Sequence, residues 1–224
     1  MEHFKDKRVC LVLSCDRPYY NERRERNYET YKWFQDNGFV VVFLFANLNG
    51  DDPQLSENGD GTFILRVPSL DVYELLSHKM ELAYRYFSKT GCSGILKIDD
   101  DIKILNGRKL SISLENNICK HDYSGISASR LNFQNKDGGS LTIKKYTLNL
   151  FKNLRLEDKD IVYVGGPFYW VSSNTIECIA NDGLEFIYED ASVGYVAMNN
   201  SELSRSFNEW MFNSVVTWTN DTEK

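Results

Sequence analysis

The stretch "GILKIDDDIKILNG", residues 94–107, sets three consecutive aspartates between two apolar runs. Ile95-Leu96-Lys97-Ile98 reads as a buried strand that ends by placing Asp99, Asp100 and Asp101 side by side. Neighbouring carboxylates repel and aspartate is a poor strand residue. The run therefore needs either water around a splayed turn or a cation between the charges. Side chains alternate across an extended chain. If the strand continues briefly, Asp99 and Asp101 share one side while Asp100 faces the other. Such a D-x-D pair brings hard oxygen ligands to one cation, magnesium or manganese by preference. Magnesium takes one or two carboxylates plus substrate phosphates, so a diphosphate is the natural third party. The later Gly and Glu positions do not fit a calcium-binding EF-hand loop.

Outward from this stretch, strand-like and helix-like segments alternate. "RVCLVLS" (8–14) reads as a strand, and "CDRPYYNERRERN" (15–27) as a polar, basic loop leading to a helix that ends near Asp36. Asn37-Gly38 is a helix stop. "FVVVFLFA" (39–46) is a continuous apolar run, typical of a strand covered on both faces. "NLNGDDPQLSENGDG" (47–61) reads as a loop and "FILRV" (63–67) as a short strand. A strong helix is expected over 69–91, capped by Ser69 or Asp71 and closed by Gly91. Val72, Leu75, Leu76, Met80, Ala83, Tyr84 and Phe87 recur along it at three- and four-residue spacing. The alternation predicts an α/β fold with a mainly parallel central sheet flanked by helices. Ligands of such sheets sit at the carboxyl ends of strands, where the aspartates lie.

Composition bounds the function. The chain has 224 residues, 42% of them hydrophobic and 13% aromatic, enough for the core of one α/β domain. A net charge of −6 argues against a general nucleic-acid binder. No run of about 18 apolar residues is present, so no membrane span is expected. The amino-terminal apolar run is too short for a signal peptide, which gives a cytoplasmic or soluble location as the expectation. The five cysteines are odd in number and show no C-x-x-C spacing, so reduced thiols are expected rather than a zinc site.

Further motifs each have two readings. Gly165-Gly166 ends a strand, "IVYV", and either permits close backbone approach to a ligand or makes an ordinary turn before Pro167. Tyr169 and Trp170 form either an apolar platform for a ligand ring or part of the core. Glu189-Asp190 suits a helix amino terminus, with Asp190 capping "ASVGYVAM". Arg17, Arg23, Arg24 and Arg26 follow the first strand. They are either exposed charges or groups that reach a diphosphate. His78 reads as structural or exposed.

In order and spacing, these segments resemble the β-1,3-galactosyltransferase and Fringe-like glycosyltransferase family, which has the Rossmann-like GT-A fold. The likeness covers most of the chain. "RRERNYETY" resembles the family's Arg-rich stretch before its first helix, and "VVFLFA" its strand ending in F-L-x-G. "FILRVPSLDVYELLSHKMELAYRYF" resembles its D-x-Y-x-N-L-x-x-K helix, with Asp71, Tyr73, Leu75 or Leu76, and Lys79 in place. "LKIDDDIKI" resembles its K-x-D-D-D-V stretch, "YVGGPFYWVS" its Y-x-S-G-G-G-Y-V-L-S, and "YEDASVGY" its E-D-V-x-x-G block.

The resemblance implies a single GT-A domain, nucleotide-binding over about 1–105 and acceptor-binding over about 106–224. It implies inverting transfer from a UDP-sugar to a glycan or glycoprotein hydroxyl. Asp99 and Asp101 would hold Mn2+ or Mg2+, which stabilises charge on the leaving diphosphate. Asp99, Asp100, Arg17, Arg24, Lys79, Gly165 and Gly166 would face the donor. Tyr169, Trp170 and Glu189 would face the acceptor. Asp190 would be the general base, its proton affinity raised by burial and by the charge of Glu189. Two departures matter. Many GT-A enzymes supply a late histidine to the metal, but only His3, His78 and His121 occur here and none follows Asp190. Asn199, Asn200, Asn208 or water would substitute, or a neighbouring segment outside this sequence would supply the ligand. Pro167 and Phe168 replace family glycines near the donor sugar, so galactose is not implied as the donor. The family's animal members carry a membrane anchor, and its absence here suggests a trimmed domain or a soluble relative. Two other readings remain: a metal-dependent phosphoryl- or nucleotidyl-transfer enzyme, and an inactive sugar-nucleotide-binding module.

Overall fold

The computed structural model describes residues 2–126, 128–132, 160–184, 188–207, 211 and 213–219. The expected α/β architecture forms, with a mostly parallel central sheet flanked by helices. β1 (Arg8–Leu13) sits at its centre, between β2 (Phe39–Ala46) and β5 (Gly94–Asp99), both parallel to it. β4 (Phe63–Val67) continues in the same direction beyond β2. The edge strand β3 (Gln54–Glu57) turns back against β4. On the other side, β10 (Phe168–Ser172) runs antiparallel to β5, and β7 (Tyr123–Gly125) and β11 (Arg205–Phe207) follow it. Two small sheets pair β6 (Ile102–Ile104) with β12 (Val216–Trp218) and β8 (Ala128–Asn132) with β9 (Asp160–Val164).

The pleat of β1 divides the core. Val9 and Leu11 face α3 (Leu76–Phe87), α5 (Ser173–Asp182) and α6 (Glu189–Asn199), among them Met80, Tyr84, Ile176 and Val193. Cys10 and Val12 face α2 (Tyr28–Asp36) and α4 (Gly107–Asn116), among them Phe34, Leu110 and Leu114. Both faces are covered, which is why the strands read as continuous apolar runs. All five cysteines are free thiols. No helix among the described residues is long and apolar enough to cross a membrane.

Several boundaries differ from expectation. The basic "loop" after β1 contains a helix, α1 (Pro18–Arg26), with proline at its first position, where a missing N–H costs nothing. The expected 47–61 loop contains β3. The 69–91 helix begins only at Leu76, after a 3-10 turn at Tyr73–Leu75. Asp71 does not cap it, because its carboxylate accepts a 2.5 Å bond from Lys79. The strand carrying the aspartates stops at Asp99, so strict alternation does not extend to Asp101; Asp100 and Asp101 form a turn into β6. Ser127, 133–159 and 185–187 lie outside the described residues, so the readings of "YSGISASRLNF" and "GLEFIYEDASVGYVAM" are tested only in part. Asn208 and 220–224 also lie outside them.

α6 rests on β9 through Gly194. A Cβ there would stand 2.4 Å from Cβ of Tyr163 and 3.2 Å from the carbonyl oxygen of Val162. Alanine would favour the helix by up to about 1 kcal/mol, yet backbone has to move to admit it. Gly194→Ala is expected to lower stability by about 1–3 kcal/mol in a urea titration. A gain in stability would mean that α6 can shift off β9 without loss.

Candidate active site

β1 and β5 are in register, with Leu13 opposite Asp99. The residues just past these strand ends, Ser14 and Asp100, therefore meet: the Ser14 hydroxyl donates to Oδ2 of Asp100 at 2.5 Å. A cleft of about 260 Å³ opens here, lined by Ser14, Arg23, Asp71, Tyr73, Lys79 and Asp99–Asp101 among others. It lies where parallel sheets hold ligands.

The three aspartates are held apart by different partners. Oδ1 of Asp99 accepts from Nζ of Lys97 at 2.6 Å. Asp100 is buried, with Oδ2 on Ser14 and Oδ1 accepting from Nη1 of Arg23 at 3.2 Å. Its carbonyl accepts from Nδ2 of Asn27 and the hydroxyl of Tyr31. Oδ2 of Asp101 shares the same Arg23 nitrogen at 3.3 Å. Oδ1 of Asp101 is buried with no hydrogen-bond partner. Burial, then the charge of Asp99, pushes the Asp101 carboxyl up to about 6. Burial likewise raises Asp100. For Arg23, burial works downward, but the Tyr19 hydroxyl and the two carboxylates raise it overall, so it stays charged.

A second group of charges adjoins the first. Lys97 is 1% exposed in the middle of β5. Its ammonium meets Asp99, Oε1 of Glu189 at 2.9 Å and the carbonyl of Gly166. Oε2 of Glu189 accepts from the Tyr169 hydroxyl at 2.6 Å, and that hydroxyl lies 2.8 Å from the hydroxyl of Tyr84. Oδ2 of Asp190 accepts the Gly166 N–H at 2.9 Å and Oδ1 the Ala191 N–H at 2.8 Å. Lys97 thus ties the aspartate turn, the Gly165-Gly166 turn and the amino end of α6 into one assembly. Burial opposes its charge, but Asp99 and Glu189 outweigh burial and raise it. Burial, helped by Asp190 and opposed by Lys97, pushes Glu189 up to about 7. Burial also raises Asp190, against the two N–H donors. Asp190 does not cap α6: Tyr188 is the N-cap, and Asp190 stands in the first turn with both oxygens accepting backbone N–H bonds.

Other expected site residues are placed differently. Tyr169 is 0% and Trp170 2% exposed, so neither ring offers a face to a sugar; the platform reading gives way to the core reading. The indole N–H of Trp170 is spent on the carbonyl of His121. Glu189, 4% exposed, is taken up by Lys97 and Tyr169 and does not face an acceptor. Arg17 is exposed and donates to the carbonyl of Asp71. Arg24 donates to Ser14 and to the carbonyl of Cys15 and lies over the Phe45 ring, so it lines a neighbouring cavity rather than the cleft. Arg23 is the arginine at the aspartates. Lys79 lines the cleft, but its ammonium is bound to Asp71 and to the carbonyl of Ser14; burial lowers it more than Asp71 raises it. Gly165 follows β9. The close approach at Gly166 is to protein carboxylates: a Cβ would lie 3.3 Å from both Glu189 and Asp190 oxygens. Asn199 and Asn200 line a separate groove, away from the aspartates.

Lys97, which joins these groups, has no role in the sequence reading. The signal was present, since a lysine between Leu96 and Ile98 in a strand buried on both faces requires an anionic partner.

Among the described residues, no three His, Cys, Asp or Glu side chains are grouped to hold a metal by themselves. Asp99 and Asp101 nevertheless fit a magnesium-like ion in a narrower sense. They are hard oxygen donors on one cleft, and Asp101 keeps one buried oxygen unpartnered. Two carboxylates suffice where phosphate and water complete the shell.

No family model matches the chain, and no curated protein matches it. Among solved structures it is similar to the crystal structure of a glycosyltransferase involved in the glycosylation of the major capsid of PBCV-1. The identity is 11%, over 96% of this chain and 94% of that chain, with a TM-score of 0.47.

Proposed function

We propose that the chain is a GT-A glycosyltransferase of the β-1,3-galactosyltransferase and Fringe-like kind. It moves a sugar from a UDP-sugar to a hydroxyl of a glycan or glycoprotein acceptor, with inversion. The observation that supports this reading most is the cleft at the ends of β1 and β5, where Asp101 keeps a buried, unpartnered oxygen beside Asp99. Asp99 and Asp101 would hold Mn2+ or Mg2+ against the donor diphosphate. A cation bound there supplies Lewis acidity toward the leaving group.

The chain's own residues do the rest. Arg23 sets fixed positive charge on the cleft wall, suited to phosphate oxygens. Lys97 fixes Asp99 and the Gly166 carbonyl in one geometry. Asp190, oriented by the Gly166 N–H, takes the proton from the acceptor hydroxyl as it attacks the anomeric carbon.

Calorimetric titration of UDP with and without manganese tests the reading. UDP is expected to bind only with manganese, and Asp101→Ala is expected to abolish that binding. No binding under either condition overturns the nucleotide assignment. The bridge from Arg23 to Asp100 and Asp101 favours one second reading, a sugar-nucleotide-binding module in which the arginine supplies the charge. UDP binding indifferent to manganese selects that one.

A further inference from the structure

With Tyr169 and Trp170 buried, an aromatic face for a sugar would have to come from elsewhere on the cleft. Pyranose rings present C–H faces that pack on exposed aromatic rings, while the phenolic hydroxyl of a tyrosine stays available for hydrogen bonds. Tyr73 meets these requirements. It is 65% exposed and lines the same cleft as the three aspartates. The other tyrosine on the cleft wall, Tyr20, already has the Arg23 guanidinium 5.4 Å from its ring centroid. Tyr73 stands on the segment between β4 and α3 and meets the ring of Tyr188 edge-on, with centroids 6.4 Å apart and planes at 69°. Tyr188 directly precedes Glu189 and Asp190 at the start of α6. Partial burial, and then the proximity of Tyr188 and Asp190, raises the Tyr73 phenol. The Tyr73 ring therefore stands on the wall of the cleft, packs edge-on against Tyr188 and lies within electrostatic reach of Asp190.

We propose that Tyr73 and Tyr188 form the subsite for the acceptor sugar, packing on a pyranose face and presenting one of its hydroxyls to Asp190. This rests on the reading of the cleft as a sugar-transfer site. The acceptor, rather than the donor sugar, is the occupant because a general base has to lie within hydrogen-bond reach of the attacking hydroxyl. The Tyr73 phenol lies within electrostatic reach of that base, and Tyr188 packs edge-on against the Tyr73 ring.

The test compares wild type, Tyr73→Ala, Tyr73→Phe and Tyr188→Ala. UDP binding is measured by calorimetry with manganese. Binding of methyl β-galactoside, methyl β-glucoside and methyl α-mannoside to the UDP-loaded protein is measured by ligand-observed NMR. At least one glycoside is expected to bind wild type, and to bind Tyr73→Ala and Tyr188→Ala about tenfold more weakly, the scale of one lost aromatic contact. Tyr73→Phe keeps the ring and is expected to bind like wild type. UDP affinity is expected to be the same in all four. Exposed Tyr73 can be removed without loss of fold. Glycoside binding undiminished in Tyr73→Ala, or absent from wild type, overturns the subsite. Weakening of UDP itself in Tyr73→Ala assigns the ring to the donor and also overturns it. If wild type binds no UDP, it is the transferase reading that fails, and the UDP arm reports that separately.

Discussion

Lys97→Met is expected to destabilise the chain by about 3–5 kcal/mol, the usual cost of removing one partner from a buried ion pair. Methionine nearly matches the length and volume of lysine, so the loss is electrostatic rather than a cavity. Without the ammonium, Glu189 keeps only the Tyr169 hydroxyl, and Asp99 and the Gly166 carbonyl lose their shared donor. The deficit should depend on pH. Burial already holds Glu189 at about 7 in the wild type, and Lys97 is what pulls it down. In the variant that pull is gone, so the folded-state value rises further above the unfolded one, about 4.3. Between the two values the folded chain binds more protons than the unfolded chain, so stability falls as pH rises. Urea midpoints at pH 8 and pH 5.5 check this: the gap between variant and wild type is larger at pH 8. An equal, small gap at both values would show that Glu189 does not depend on Lys97.

The strand framework was legible because both faces of the sheet are covered. Continuous apolar runs such as 39–46 have few other places to go, and the aspartates mark a strand end by their own repulsion. The helix start at Leu76 was not legible. Ser69 and Asp71 are good capping residues by type, but Asp71 is drawn to Lys79, eight residues along, and no local rule sees that bond. α1 was hidden for a related reason: an arginine-rich segment has little apolar periodicity, and its arginines are fixed by tertiary partners at Asp100, Asp101 and Ser14. The aromatics at 169–170 show the same limit from the other side. A Tyr-Trp pair can be platform or core, and the choice is made by β10 lying between β5 and β7 in the sheet interior.

Asp190→Asn is expected to leave manganese-dependent UDP binding unchanged and to lower transfer by about 10²–10⁴-fold, the range for removing a general base. The substitution keeps size and shape. An asparagine oxygen can still accept the Gly166 N–H, but its amide nitrogen cannot accept the Ala191 N–H, so a urea titration measures the cost of that one lost bond separately from the loss of transfer. What is lost is the capacity to take a proton. The pH dependence separates this role from a merely structural one. A base works only when deprotonated, and burial raises Asp190 above the ordinary carboxylate value. In wild type, transfer should therefore rise with pH through that elevated value and then level off. The asparagine variant has no proton to lose there, so its residual rate should lack that limb. If the variant transfers normally, or keeps the same limb, proton abstraction belongs to another group. Asp190 would then be left with the task its hydrogen bonds already show, joining α6 to the Gly166 turn.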